Sequence, residues 1–138
     1  ILLADAGFNA YSTLIETRRD LVENKQDLVQ RFVDASIIGW YTYLYGNNTA
    51  GNAMIKKLNP DMTDDLLAYT VSKMKAYGIV DSGDSLRDGI GAMNDARYAS
   101  FFDKMVRAGV VRRDIDFRKA YTLQFINKGV GLDLRPKK

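Results

Sequence analysis

The stretch from Asn24 to Asn47, "NKQDLVQRFVDASIIGWYTYLYGN", constrains this chain more than any other. Its apolar residues Leu28, Val29, Phe32, Val33, Ile37, Trp40, Tyr41 and Leu44 recur at spacings of three and four. That is the period of an amphipathic helix. Asn24 is expected to cap its start and Gly46-Asn47 to close its end. The apolar arc is wide, which predicts a helix packed on more than one side, with Phe32 and Trp40 in the core. Gly39 lies inside, where glycine costs about 1 kcal/mol relative to alanine. Close approach of a neighbouring backbone is the expected reason for it.

Four further helices follow from local signals. Thr49 to Leu58 is short and ends before Asn59-Pro60. Thr63 reads as the N-cap of Asp64 to Tyr77, with two acids in the first turn where the helix dipole favours them. Leu67, Val71 and Met74 form its inner stripe, and Gly78 ends it. Asn94 or Asp95 caps the next, whose stripe is Tyr98, Phe101, Phe102, Met105 and Val106, with Gly109 at its end. A last helix is expected to start at Asp114 or Asp116, with Phe117, Ala120, Tyr121 and Leu123 to Phe125 inside, and to close at Asn127-Lys128-Gly129. The Gly- and Asp-rich stretch between the third and fourth helices reads as a surface loop.

The front of the chain differs. Tyr11–Thr17 roughly alternates polar and apolar residues and is rich in Thr, Ile and Leu, which predicts a strand. Ile1–Ala4 reads as a shorter, weaker one. The expected fold class is therefore mainly α, with one or two N-terminal strands. A two-stranded unit is marginal alone, and no later segment offers these strands a partner.

Composition narrows the chemistry. The 138 residues are 46% hydrophobic and 27% charged, as in a folded body rather than a disordered one. The net charge of +3 is mild and its sources are dispersed, unlike the basic face of a nucleic-acid binder. The one dense basic cluster, Arg135-Pro136-Lys137-Lys138, reads as a solvated tail. Cysteine and histidine are both absent. No disulfide, thiolate or histidine-based triad can form within this chain, and the commonest metal ligand is missing. Catalysis by this segment is not expected, and neither a cofactor nor a metal is. Gly83 to Gly91 lacks the G-x-x-x-x-G-K-[ST] pattern of a phosphate loop. Asp81, Asp84 and Asp88 do not meet the spacing of a calcium loop. Asp64 and Asp65, adjacent on a helix, diverge by about 100°. Tyr41, Tyr43 and Tyr45 spread around their helix and form no cage.

The turn "DAGFNAY" gathers an acid, a glycine, an aromatic, an amide and a tyrosine. An aromatic ring offers a ligand a flat wall, and Asp5 or Asn9 can fix its orientation by hydrogen bonds. On residue type alone a plain polar turn between strands is the favoured reading.

The stretch "DAGFNAYSTLIETRRDLVENKQDLVQRFVDASIIGWYTYLYG" resembles the second half of bacterial ABC-transporter substrate-binding proteins of the nitrate/taurine class. More narrowly it is similar to the subgroup related to thiamine-pyrimidine-precursor binding proteins. The later pieces "NPDMTDDLLAY", "MKAYGIVDSGD", "GIGAMNDARYASFFDKMVRAGVV" and "KAYTLQFINKGVG" follow the same subgroup in order, so the resemblance covers nearly the whole chain. One departure is Gln26-Asp27, where the family often has a proline before the acid.

The resemblance implies the C-terminal half of a two-lobed α/β periplasmic binding protein fold (type II). Residues 1–10 would end the second lobe and carry a ligand-side turn. Residues 11–19 would form a hinge-crossing strand, and residues 20–138 a helical part packing on a missing first lobe. A signal peptide would lie upstream and the location would be periplasmic or extracytoplasmic. The implied function is capture of a small polar ligand for delivery to a membrane permease, not chemistry. Asp5, Phe8, Asn9 and Tyr11 are the candidate ligand or hinge contacts. The expected partners are the small-molecule ligand, the permease and the missing N-terminal half, and no nucleic acid. An exposed strand edge would also promote self-association. Two alternatives stand beside this reading. One is an autonomous all-helical interaction or ligand-sensing module. The other is a fragment of a pyrimidine-precursor synthase-like enzyme, whose chemistry relies on the His and Cys absent here.

Overall fold

The computed structural model describes residues 3–137. Helices α1 (Arg19–Asn24), α2 (Gln26–Tyr45), α3 (Thr49–Leu58), α4 (Asp64–Ala76), α5 (Ser85–Asp88) and α6 (Asp95–Arg107) follow in chain order. Single 3₁₀ turns come after them at Phe117–Ala120 and Leu132–Leu134. There is no strand among the described residues.

That finding corrects the expected N-terminal strands and, with them, the α/β fold class. Ile1 and Leu2 lie outside the described residues. Leu3 and Ala4 belong to a hydrogen-bonded turn in which Phe8 N–H donates to Leu3 O at 3.0 Å. Tyr11–Thr17 runs as irregular chain, with Leu14 and Ile15 exposed. The alternation at 11–17 supplies side chains suited to a sheet, but strand pairing needs a second row of backbone donors and acceptors, and none lies beside it among the described residues.

α2 is the axis of the core. Val29, Val33, Ile37, Tyr41 and Leu44 form its buried stripe and meet Ile90 and Phe125. α3 covers α2 at Tyr43, whose ring adjoins Gly51 and whose hydroxyl donates to Asn52, while the face bearing Leu28, Phe32, Ala35 and Gly39 is exposed. Phe32 is 60% exposed and Trp40 is exposed as well, so their expected place in the core is wrong. A β-carbon on Gly39 would meet nothing within 4 Å, so no neighbouring backbone explains that glycine among the described residues. Asn24 does not cap α2. It ends the short helix α1, and Lys25 stands at the junction with φ −134° and ψ 44°.

The other local signals act as their chemistry dictates. Thr63 Oγ1 accepts from Leu66 N–H at 3.2 Å, and Asn94 Oδ1 accepts from Arg97 N–H at 2.8 Å. Each satisfies one orphan donor of a helix start. At the far ends of α4 and α6, Gly78 (φ 57°) and Gly109 (φ 71°) adopt the left-handed conformation. Ile79 N–H then reaches Met74 O, and Val110 N–H reaches Met105 O, each at 3.0 Å. These are Schellman closures.

Three expectations fail further along. The last helix shrinks to the 3₁₀ turn at Phe117–Ala120, because Tyr121 and Phe125 are drawn into separate tertiary contacts. The loop between α4 and α6 is not a plain surface connection: Ser85, Gly89, Ile90 and Ala92 are buried. Arg135 is not part of a solvated tail. It makes hydrogen bonds to Asp81, Tyr41, Ser85 and Leu86.

Candidate functional site

The amino-terminal turn docks on α6, and two cations of that helix hold it there. Arg97 Nε donates to Asn9 O at 2.6 Å and its Nη2 to Ala10 O at 3.0 Å. One face further along, Lys104 Nζ donates to Gly7 O and, at 2.9 Å, to Asn9 Oδ1. Arg97 and Lys104 are seven residues apart, two helical turns, so both project on the same side of α6. Gly7 sits at φ 86°, a conformation that favours glycine, and this bends the chain so that its carbonyl faces Lys104.

Aromatic contacts complete the joint. Phe8 packs edge-on against Phe101 with ring centres 4.9 Å apart. The Arg97 guanidinium lies 4.2 Å from the centre of the Tyr11 ring, a cation–π distance. Asn94 N–H donates to Tyr11 Oη at 2.9 Å, and the Tyr11 and Tyr98 rings are 5.2 Å apart. Tyr98 in turn stacks on Tyr121 at 3.8 Å and 6°. The Tyr121 hydroxyl donates to Asp95, which pushes its pKa up to about 12. Burial, and then the neighbouring Tyr11, raise the pKa of Tyr98.

The four residues singled out from the sequence are therefore adjacent but not equivalent. Asn9 and Tyr11 are committed to α6 through backbone carbonyl, side-chain oxygen and ring. Phe8 keeps one face against Phe101 and remains 44% exposed. Asp5 is exposed at the tip, and among the described residues its carboxylate has no hydrogen-bond or ion-pair partner. The turn thus displays one carboxylate and one half-open aromatic ring from a fixed backbone. Arg97, Lys104, Tyr98 and Tyr121 were not foreseen as part of this cluster. The signal for the first two was present as two basic residues one heptad apart beside the aromatic stripe.

A second polar cluster forms around Asp81. Arg135 grips Asp81, Tyr45 Oη donates to Asp81 Oδ2 at 2.8 Å, and Ser85 Oγ donates to Asp81 Oδ1 at 2.7 Å. Burial alone would raise the Asp81 pKa. The hydrogen bonds from Arg135, Ser85 and Tyr45 outweigh it and hold the carboxyl below its ordinary value. All its oxygens are engaged, so this cluster has no capacity left for a ligand. The remaining acids of the calcium-like set are also occupied: Asp84 accepts from Asn94 Nδ2, and Asp88 pairs with Arg87. Among the described residues no three acids gather as metal ligands would.

Depressions on the surface of the described residues offer room for a ligand. One, of about 270 Å³, is lined by Gln26, Asp27, Gln30, Gln124, Phe125 and Lys128. Its amide is already used, since Gln30 Nε2 donates to Asp34 and to Phe125 O while its oxygen accepts from Lys128. Another, of about 470 Å³, is an apolar groove between α2, α3 and α4, with Gly39, Trp40, Met62 and Met74 among its walls. No helix is long and apolar enough to cross a membrane among the described residues. No protein-family model, curated protein or solved structure matches this chain.

Proposed function

We propose that this chain is part of a solute-binding component of an ABC importer, and that the turn bearing Asp5 and Phe8 is a wall of its ligand site. The observation that carries the proposal is the way the turn is held. Arg97 and Lys104 engage the carbonyls of Gly7, Asn9 and Ala10, so the turn's backbone polarity is spent inward. Asp5 and Phe8 then face outward from a preorganised support, which lowers the ordering cost of binding. A carboxylate beside an open ring suits a small polar molecule with a flat or apolar side and a hydrogen-bond donor. The ordered series of motifs along the chain supports the same assignment.

The mechanism is capture. A ligand resting on Asp5 and Phe8 is enclosed when a second body, the partner half of the same component, closes over it. The enclosed form is the one presented to a permease. Only a ligand that touches both bodies shifts the open–closed balance. Asn9 and Tyr11 act as positioning residues, fixing the turn on α6. The compartment that goes with this function is periplasmic or extracytoplasmic. No step requires a nucleophile or a general base.

A second reading has its own support. The described residues are entirely helical with a shared core, which is the architecture of an autonomous helical interaction or ligand-sensing module. Nuclear magnetic resonance separates the two. A panel of small pyrimidines and sulfonates is titrated into labelled protein. Shift changes confined to residues 5–11 and the facing side of α6 support solute capture. Changes centred on the groove beside Trp40, with none at the turn, contradict it.

A further inference from the structure

We propose that the exposed segment from Arg107 to Lys119, at and after the end of α6, is a docking surface for an anionic phospholipid membrane. It meets the membrane through Arg107, Arg113 and Arg118, interleaved with the aliphatic Val110 and Ile115. The inference stands apart from the solute-capture proposal and uses none of its residues.

The first support is charge. Of the 20 cations and 17 acids of the chain, five cations and two acids fall in residues 107–119, so the remaining residues balance at fifteen of each. The dispersion of charge expected from the sequence fails at this loop. Arg112 pairs with Asp114, and Lys119 with Asp116. Arg107, Arg113 and Arg118 have no ion-pair partner among the described residues. All three are exposed. A guanidinium grips phosphate with two parallel hydrogen bonds, and cations beside an anionic leaflet reinforce one another.

The second support is the build of the loop. Only Val111 and Phe117 are half-buried and the rest of 107–119 is exposed, so the loop stands out from the body. Its own contacts order it. Val110 and Val111 N–H both donate to Met105 O, Ile115 N–H to Arg112 O, and Lys119 N–H to Asp116 O. Phe117 stacks on Phe102 of α6 with ring centres 4.7 Å apart, and the Arg118 guanidinium lies 4.9 Å from the Phe117 ring centre. The far end of the loop is thereby fixed to the helix that bears Arg107.

The third support is what lies between the arginines. Val110 is 70% exposed and Ile115 50%. Aliphatic side chains beside cations suit a headgroup boundary, where the charges meet phosphate and the hydrocarbon enters the acyl region. A nucleic acid is matched less well. Base stacking needs an open aromatic ring, and Phe117, the ring within this loop, is engaged by Phe102 and Arg118.

Co-sedimentation with sucrose-loaded vesicles tests the proposal. Vesicles of equal parts phosphatidylglycerol and phosphatidylcholine should carry the chain down at low salt, and vesicles of phosphatidylcholine alone should not. Binding should vanish at about 1 M salt, where the screening length falls to about 3 Å. Arg107→Gln, Arg113→Gln and Arg118→Gln together should lower partitioning by about a hundredfold, roughly fivefold for each cation, with circular dichroism unchanged. Arg19→Gln, Lys25→Gln and Lys57→Gln remove the same charge from exposed sites elsewhere and should leave most of the binding. The chain has no cysteine, so an environment-sensitive dye on Val110→Cys reports only on the loop. It should brighten on the anionic vesicles, and the same dye on Ala68→Cys of α4 should not. Absence of binding to anionic vesicles, equal binding to neutral ones, or equal losses from the two triple variants overturns the proposal. So does binding of duplex DNA through the same arginines with vesicles left unbound. The comparison is repeated on the chain extended by whatever upstream residues its gene encodes. Vesicle binding that disappears there would assign the loop to those residues, and also overturns it.

Discussion

Arg135 and Asp81 meet side by side, with Nε donating to Oδ2 at 2.8 Å and Nη2 to Oδ1 at 2.7 Å. The Asp81 side chain is only 3% exposed. The same guanidinium donates to Tyr41 Oη at 3.2 Å, and Tyr41 is fully buried in the centre of α2. One residue near the C-terminal end thus ties the loop at Asp81–Ser85 to the core helix. Replacing Arg135 by Met leaves a buried carboxylate without its cation, a loss of about 3–5 kcal/mol. Urea unfolding of the variant against the parent measures it.

The same pair sets the acid limb of stability. The Asp81 carboxyl is held below its ordinary value in the folded chain. Its contribution is therefore present above the unfolded value, about 3.9, and is lost as pH falls through the folded one. Asp81→Asn removes this dependence. Unfolding curves collected at about pH 7 and about pH 3 should converge for the variant more than for the parent.

Tyr45 governs the alkaline limb. Burial first, and then its hydrogen bond to Asp81, push its pKa up from 10.0 to about 12. A raised folded pKa gives stability that is full below the unfolded value and lost as pH rises through the folded one. Ultraviolet titration should show a late-ionising component to which both Tyr45 and Tyr121 contribute, and Tyr45→Phe should reduce it by one tyrosine.

Gly131 and Gly39 predict opposite signs for the same substitution. Gly131 has φ 73°, and an added methyl would lie 2.6 Å from Cδ2 of the immobile Tyr41 ring. Gly131→Ala should destabilise by more than about 1 kcal/mol, combining strain and overpacking. Gly39→Ala adds a methyl in open space inside a helix and should stabilise the folded chain by up to about 1 kcal/mol. Thermal melts of the two variants check both signs.

What could be seen in the sequence follows from how local each signal is. Thr63, Gly78, Asn94 and Gly109 mark helix ends through contacts within a few residues, and each does so in the fold. The period of α2 is equally local, but a period does not say which of two apolar stripes is covered. That choice sends Val33 inward and leaves Phe32 out. Tyr11–Thr17 fails as a strand for the converse reason, because its partner would have to lie far away in sequence. Tyr121 and Phe125 leave the expected last helix for contacts to Tyr98, Asp95 and the α2 core, all distant in sequence. At the candidate site, the turn at Asp5–Tyr11 was legible from its residue types. The helix that holds it was not, because Arg97 and Lys104 read as ordinary surface cations until α6 is placed beneath the turn.

Removing those cations should free the turn without melting the core. Arg97→Leu loses two hydrogen bonds to backbone carbonyls and the stacking on Tyr11. Limited trypsin digestion should then cut faster at Arg18 and Arg19, while the main thermal transition moves little. An unchanged cutting rate would contradict the role given to Arg97.

The most direct test of the solute-capture account is the DNA around the coding sequence. The account predicts an open frame continuing upstream of the Ile1 codon for about 150–200 residues to a signal peptide, with permease and ATPase genes adjacent. A start codon beside Ile1, with neither transporter gene nearby, would contradict it and leave the helical interaction module as the reading that stands.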